Sequence, residues 1–384
     1  MKAIILRHLC AGFALMASFY LLLPGLAFAS AIITQIPTPD RYPYRIFDGT
    51  EDDSYWIVTI SGGLMLLERD ASGYWTTTEY PIGYVSDAAG PDSRGWLHCS
   101  CYIPETGAMY LIFDCTQKVV HQSILLGSDY QLSGVCLSPD ETSAFVLGMD
   151  WPRIGEIGGS YIESGAHPDS GILWRIDLNT LTVADQGITA ALPSTIYYAE
   201  TTSGPGKILV STKAVVGYGG GMLLFTDIIL PVLGLPRESQ LAGPFCLTDY
   251  RLDFVDWSED NNLVAICGCD HPWLEEDRYQ SAIWLFDPDT SEVVDYIMVT
   301  TPAGGDLDVA HACISQSQPG TVYISTGNSS PWDLCVINKE TGTLVEWLPT
   351  PEDFHAEFIH ETPDGLLIVT GGESGMILIV DPDA

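Results

Sequence analysis

Apolar positions along this chain do not recur with the period of a helix. They come as short runs of β-branched, aromatic and leucine residues, each closed by Pro, Asp, Asn or Gly. Strands spaced about every ten residues, with turn residues between them, predict an all-β fold. Seven of the runs end alike: LMLLERD at Asp70, MYLIFD at Asp114, ILWRID at Asp177, MLLFTD at Asp227, AIWLFD at Asp287, DLCVIN at Asn338 and MILIVD at Asp381. Another apolar strand precedes each, often after a Pro-Asp or Gly turn, as in LSPDETSAFVLG (137–148) and TPDGLLIVTGG (362–372). Seven units of roughly fifty residues have the size of four-stranded propeller blades.

The ends of the chain carry a further clue. AIITQIPTPDRYPYRIF (31–47) matches LVEWLPTPEDFHAEF (344–358) in apolar-polar pattern and in Pro-Thr-Pro. The last unit stops at Ala384 without an outer strand of its own. The strand near 32–37 is therefore expected to complete it, giving a seven-bladed β-propeller with no open sheet edge at the join. The first 29 residues read as a secretory signal. Lys2 and Arg7 precede an apolar stretch broken at Pro24-Gly25, and Ala27-Phe28-Ala29 supplies the cleavage pattern. The expectation is one propeller domain over 30–384, exported to a periplasmic or extracellular space.

Composition narrows the partners. A net charge of −35 repels a phosphate backbone and an anionic lipid surface, so nucleic acid and, once the signal is cleaved, membrane are not expected. The 46% hydrophobic content, with 10% aromatics, is that of a packed core and not of a disordered acidic tail. A monomer is expected.

Units such as Asp177-Leu178-Asn179-Thr180, Asp287-Pro288-Asp289-Thr290 and Asn338-Lys339-Glu340-Thr341-Gly342, with Pro-Asp-Gly turns and the strands between, resemble the seven-bladed propellers of the YVTN/lactonase-like superfamily. The resemblance covers essentially all of the chain after the signal. It rests on scaffold motifs, and it implies a fold shared by extracytoplasmic binding proteins, lactonases, lyases and dehydrogenase subunits. It transfers no catalytic residue.

Propeller topology places the loops that lead into each innermost strand on one face with the loops joining second and third strands. Alignment on the intervening turns puts Tyr44, Asp87, Gln131, Tyr197, Arg251, His311 and His355 at the channel mouth, within a position or two. His311, His355 and Arg251 are the candidates for acid-base work or for holding an anionic group. Tyr44, Asp87, Gln131 and Tyr197, with Trp151 and Trp273 on two long loops, are the candidates for ligand contact. That lip suits a small molecule, a glycan or a basic peptide. Cys269, Asp270 and His271 are the candidate ligands of a metal, and a divalent cation in the channel is the only cofactor considered. No calcium loop, nucleophile elbow or phosphate loop is present in the sequence. Three readings follow: a ligand-binding propeller, a lactonase-like hydrolase or lyase, and a purely structural module. Nine cysteines follow the signal, most within apolar strands, where buried free thiols are expected.

Overall fold

The structure, a computed structural model, describes residues 32–39, 41–60, 62–150, 171–189, 193–202, 206–212, 221–226, 239–241, 253–258, 263–270, 280–299, 309–326, 333–372 and 374–384. The expected signal, 1–29, lies outside the described residues, as do Trp151, Arg251, His271 and Trp273.

The strands form seven four-stranded antiparallel sheets, numbered here in chain order. In sheets one to six, consecutive strands are neighbours. In the seventh, Ile32–Pro37 pairs with Met376–Val380, the last strand of the chain. The innermost strands are Pro43–Asp48, Tyr84–Ala89, Tyr130–Leu137, Pro193–Ala199, Asp253–Ser258, Val309–Ile314 and Phe358–Glu361. Packing runs from each sheet to the next. It also runs from sheet seven back to sheet one, where Phe358–Glu361 lies against Pro43–Asp48.

The core is distributed between the sheets. Among the described residues seven hydrophobic clusters occur, each joining two neighbouring sheets. Alternation along a strand explains this, because successive side chains point to opposite faces. In Ser54–Thr59, Trp56 and Val58 pack into the seam with sheet two, while Tyr55 and Ile57 pack into the seam with sheet seven. A strand buried on both faces reads as a continuous apolar run, which is why the second and third strands were conspicuous in the sequence. The fourth strands have one wet face; Val119–Gly127 is mostly exposed.

Four of the turns between third and fourth strands share one design. The carbonyls of Asp114, Asp177, Asp287 and Asn338 accept the N–H of Lys118, Leu181, Ser291 and Gly342 at 2.7–2.9 Å. Their side chains accept the intervening backbone N–H groups. The fifth residue of each turn is left-handed, with φ between 54° and 66°.

All seven cysteines described with side chains are free, and six of them are buried. Cys99 and Cys101 point together into the seam with sheet one. His98 takes the other face, 2.5 Å from the Tyr110 hydroxyl and 3.1 Å from Asp92 Oδ2.

Candidate functional site

The channel wall is built from the innermost strands, and its chemistry centres on Arg45. From sheet one, its Nη2 donates to Asp253 Oδ1 in sheet five at 3.0 Å. Its Nε lies 3.1 Å from Asp87 Oδ1 in sheet two, an ion pair whose N–H does not point along the contact. Sheets one and five are not neighbours, so the guanidinium reaches across the axis and bridges the channel at this level. Burial opposes its charge, but Asp87 and Asp253 outweigh that and hold its pKa above the ordinary arginine value.

Both carboxylates are locked by backbone donors as well. Asp87 Oδ2 accepts from Val135 N in sheet three at 3.2 Å, and its Oδ1 from Ala88 N at 3.0 Å. Phe254 N donates to Asp253 Oδ1 at 2.9 Å. Gly134 makes the first approach possible: a Cβ there would lie 2.9 Å from Ile196 Cγ2 and 3.5 Å from Asp87 Oδ2. Removing Arg45 would leave two buried carboxylates without their cation, at a cost of about 3–5 kcal/mol.

His311 sits beside this network. Its Nε2 is 3.7 Å from Asp253 Oδ2, its Nδ1 accepts from Ile359 N at 3.4 Å, and its ring stacks on Phe358 with centroids 3.7 Å apart. Burial lowers its pKa to about 4 against the attraction of Asp253, so the ring is neutral at pH 7. Both ring nitrogens face the protein's own groups.

Of the residues expected at the mouth, the structure brings Asp87 and His311 into one network, joined through Arg45 and Asp253. Tyr44 is buried one residue before Arg45, edge-on to Phe358 at 6.4 Å. Tyr197 packs against Phe254 at 6.0 Å, and burial raises its pKa above the usual phenol value. Gln131 is exposed at the start of its strand. His355 lies in the segment leading into sheet seven, and no hydrogen bond or ion pair joins it to His311. Cys269 and Asp270 end the strand Leu263–Asp270, with side chains outside the described residues. Among the described residues, no group of three or more His, Cys, Asp and Glu is placed to hold a metal ion.

The sequence reading missed Arg45, Asp253 and Phe358. A rule that the channel residue lies opposite the buried hydroxyl of the second strand would have found Phe358, but neither Arg45 nor Asp253, which lies opposite Cys267. Ser100 pairs with Asp87, Ser325 with His311 and Thr370 with Phe358. These hydroxyls also tie sheets together: Ser325 Oγ donates to Glu357 O at 2.9 Å, and Thr370 Oγ1 to Tyr44 O at 2.7 Å.

A second polar group sits on the loop face, between sheets six and seven. Asp333 opens the third strand region of sheet six and is fully buried. Thr350 Oγ1 donates to its Oδ2 at 2.7 Å, while its Oδ1 is buried with no hydrogen-bond partner among the described residues. Burial raises the Asp333 pKa, opposed by the Thr350 bond and by His355. His355 Nδ1 is likewise buried and unpartnered.

No family model matches the sequence, and no curated protein matches it either. Among solved structures, one described as hydrazine synthase from Kuenenia stuttgartiensis is similar, with a TM-score of 0.62 and 13% identity over 91% of this chain and 97% of that chain. At that identity the likeness carries the fold alone. With the sheet topology, it makes this chain a β-propeller of four-stranded antiparallel sheets.

Proposed function

We propose that this chain is an exported β-propeller that binds a polar ligand on the face formed by the loops into the innermost strands and those between second and third strands. One observation carries this reading. Asp333 Oδ1 and His355 Nδ1 are two buried polar atoms on that face, within electrostatic reach of each other, and neither has a hydrogen-bond partner among the described residues. A buried polar atom left unpaired costs about 1–3 kcal/mol, which a ligand supplying the missing bonds would return. A carboxylate oxygen calls for a donor, so the ligand class is a glycan hydroxyl or a basic peptide group. Both tolerate a protein of net charge −35.

The seven sheets are read here as seven blades closed by Ile32–Pro37. Kinship with the YVTN/lactonase-like propellers is proposed at the level of the turns and strands. Export is proposed from the first 29 residues.

The test is titration calorimetry of the full-length secreted protein against glycan and basic-peptide panels. It is run after chelation and again with Ca²⁺, Mg²⁺, Mn²⁺ and Zn²⁺ restored singly. A ligand is expected whose affinity falls at least tenfold in both Asp333→Asn and His355→Ala. Binding that ignores both substitutions, or no binding from either panel, refutes the reading.

A further inference from the structure

The opposite face carries the turns between first and second and between third and fourth strands. There, polar side chains bridge one sheet to the next. Lys118 Nζ is 3.5 Å from Glu68 Oε1 between sheets two and one. Ser93 N donates to Glu141 Oε1 at 2.8 Å between sheets two and three. Thr202 N and Oγ1 both donate to Asp289 at 2.7 Å between sheets four and five. Lys339 Nζ donates to Trp257 O at 2.7 Å between sheets six and five. Ser315 Oγ donates to Glu361 Oε1 at 2.7 Å between sheets six and seven. Arg69 Nη1 meets Asp364 Oδ2 at 2.6 Å between sheets one and seven.

At the seam between sheets three and four a cleft of 440 Å³ opens, between the turn 138–143 with Arg175 on one side and Tyr198, Glu200, Thr201 and Gly206 on the other. Arg175 Nε is buried without a hydrogen-bond partner, and Arg175 makes no ion pair with any described residue. Its charge is felt by Asp177, but its Nε makes no hydrogen bond to a described residue, and a guanidinium in a concave site is a place for an oxyanion, which it meets through N–H donors. The wall beside it is fixed: a Cβ on Gly206 would fall 2.1 Å from the Tyr198 hydroxyl, so only glycine lets that ring lie there.

The rest of the lining selects among oxyanions. Asp140 and Glu200 stand at the rim with two negative charges. Bonds from Ser138 and Thr142 hold the Asp140 carboxyl below the usual carboxylate range, so it is ionised. A phosphate dianion would be repelled by both acids and by a molecule of net charge −35. A molecule with one carboxylate and one ammonium suffers neither penalty.

We propose that the cleft between sheets three and four binds a small zwitterion of the free amino-acid class, its carboxylate on Arg175 and its ammonium toward Asp140 and Glu200. A volume of 440 Å³ suits one small molecule and is too small for a folded partner. The site lies on the face opposite Asp333 and His355, so it is independent of the ligand proposed above.

Calorimetry of the full-length secreted protein against the twenty free amino acids, acetate, methylamine and inorganic phosphate tests this. At least one amino acid is expected to bind in the micromolar range, with acetate and methylamine at least tenfold weaker because each keeps only half of the contacts. Arg175→Gln is expected to weaken that amino acid at least thirtyfold, and Asp333→Asn to leave it unchanged. Glu200→Gln, a change at an exposed position, is expected to weaken it about tenfold, and it keeps the test decisive if Arg175→Gln does not fold. No binding by any amino acid at 10 mM, affinity indifferent to both cleft substitutions, or phosphate binding tighter than every amino acid would each overturn the proposal.

Discussion

His311 is a histidine that the fold keeps neutral. Its ring is 8% exposed, stacked on Phe358, with Asp253 at one nitrogen and a backbone N–H at the other. Arg45 stands beyond Asp253 and repels a proton there, as His360 does. The pKa falls from 6.5 to about 4, burial being the largest cause. The unfolded chain therefore binds this proton first, and stability is lost as pH falls from 6.5 through 4. Two and a half pKa units correspond to roughly 3 kcal/mol over that window. His311→Gln removes this term. The stability of wild type minus variant, from urea melts at pH 7 and pH 4, is expected to drop by about that amount. A difference that stays level with pH would show that the ring is not held neutral. The same residues show how far a sequence can be read at this scale. Asp87 and His311 were placed where they stand, because counting from the turn was right for those strands. Tyr44 lies one residue before Arg45, within the tolerance of the alignment, and Arg251 lies outside the described residues. His355 was named three residues before Phe358.

Those slips belong to the strand as an element. Six innermost strands carry a register shift, between Pro43 and Ile46, Val85 and Asp87, Leu132 and Gly134, Pro193 and Ile196, Asp256 and Ser258, and Val309 and His311. A bulge adds one residue without advancing the pairing and sharpens the twist, which suits strands crowded round a narrow axis. It also breaks the period-two count, but Asp87 and His311 stand at such bulges and Phe358–Glu361 has none, so the bulges do not by themselves decide which channel residue is legible. The third strands whose turns are described were legible because both faces are largely buried and each ends on a side chain that accepts backbone N–H groups of its own turn. The Arg175 cleft left no trace in sequence, since it depends on how segments of two different sheets face each other. The strand Ile32–Pro37 supports a prediction of its own. It pairs with Met376–Val380 at five positions, and its Ile32 and Ile36 pack onto two different seams. Deleting 32–37 leaves the backbone of Met376–Val380 facing water. At about 1 kcal/mol per bond the expected loss is roughly 3–5 kcal/mol, and an open edge invites self-association. Urea midpoint and light scattering read both effects. A variant as stable and monodisperse as the parent would mean that this strand is ornamental.

At the scale of the whole molecule, charge is the dominant unbalanced quantity. Fifty acids face fifteen Lys and Arg, a net of −35. Two kinds of electrostatics compete in the response to salt. Exposed bridges such as Arg69–Asp364 and Arg41–Glu79 are screened and weaken, but each contributes no more than about 1 kcal/mol. The Arg45–Asp87–Asp253 network responds little, because its carboxylates are 1% and 4% exposed and salt does not enter. The general repulsion among surface carboxylates is relieved as the screening length falls from about 30 Å at 0.01 M to under 10 Å above 0.1 M. With more than three acids for every base, the third effect outweighs the first. The melting temperature at pH 7 is therefore expected to rise by several degrees between 10 mM and 500 mM NaCl, the size of a shift of about 1–2 kcal/mol in a domain this large. The rise should shrink at pH 4.5, where many surface carboxylates begin to take up protons. A melting temperature that falls with added NaCl at pH 7 would mean that local bridges between sheets, and not the net charge, govern the stability of the ring.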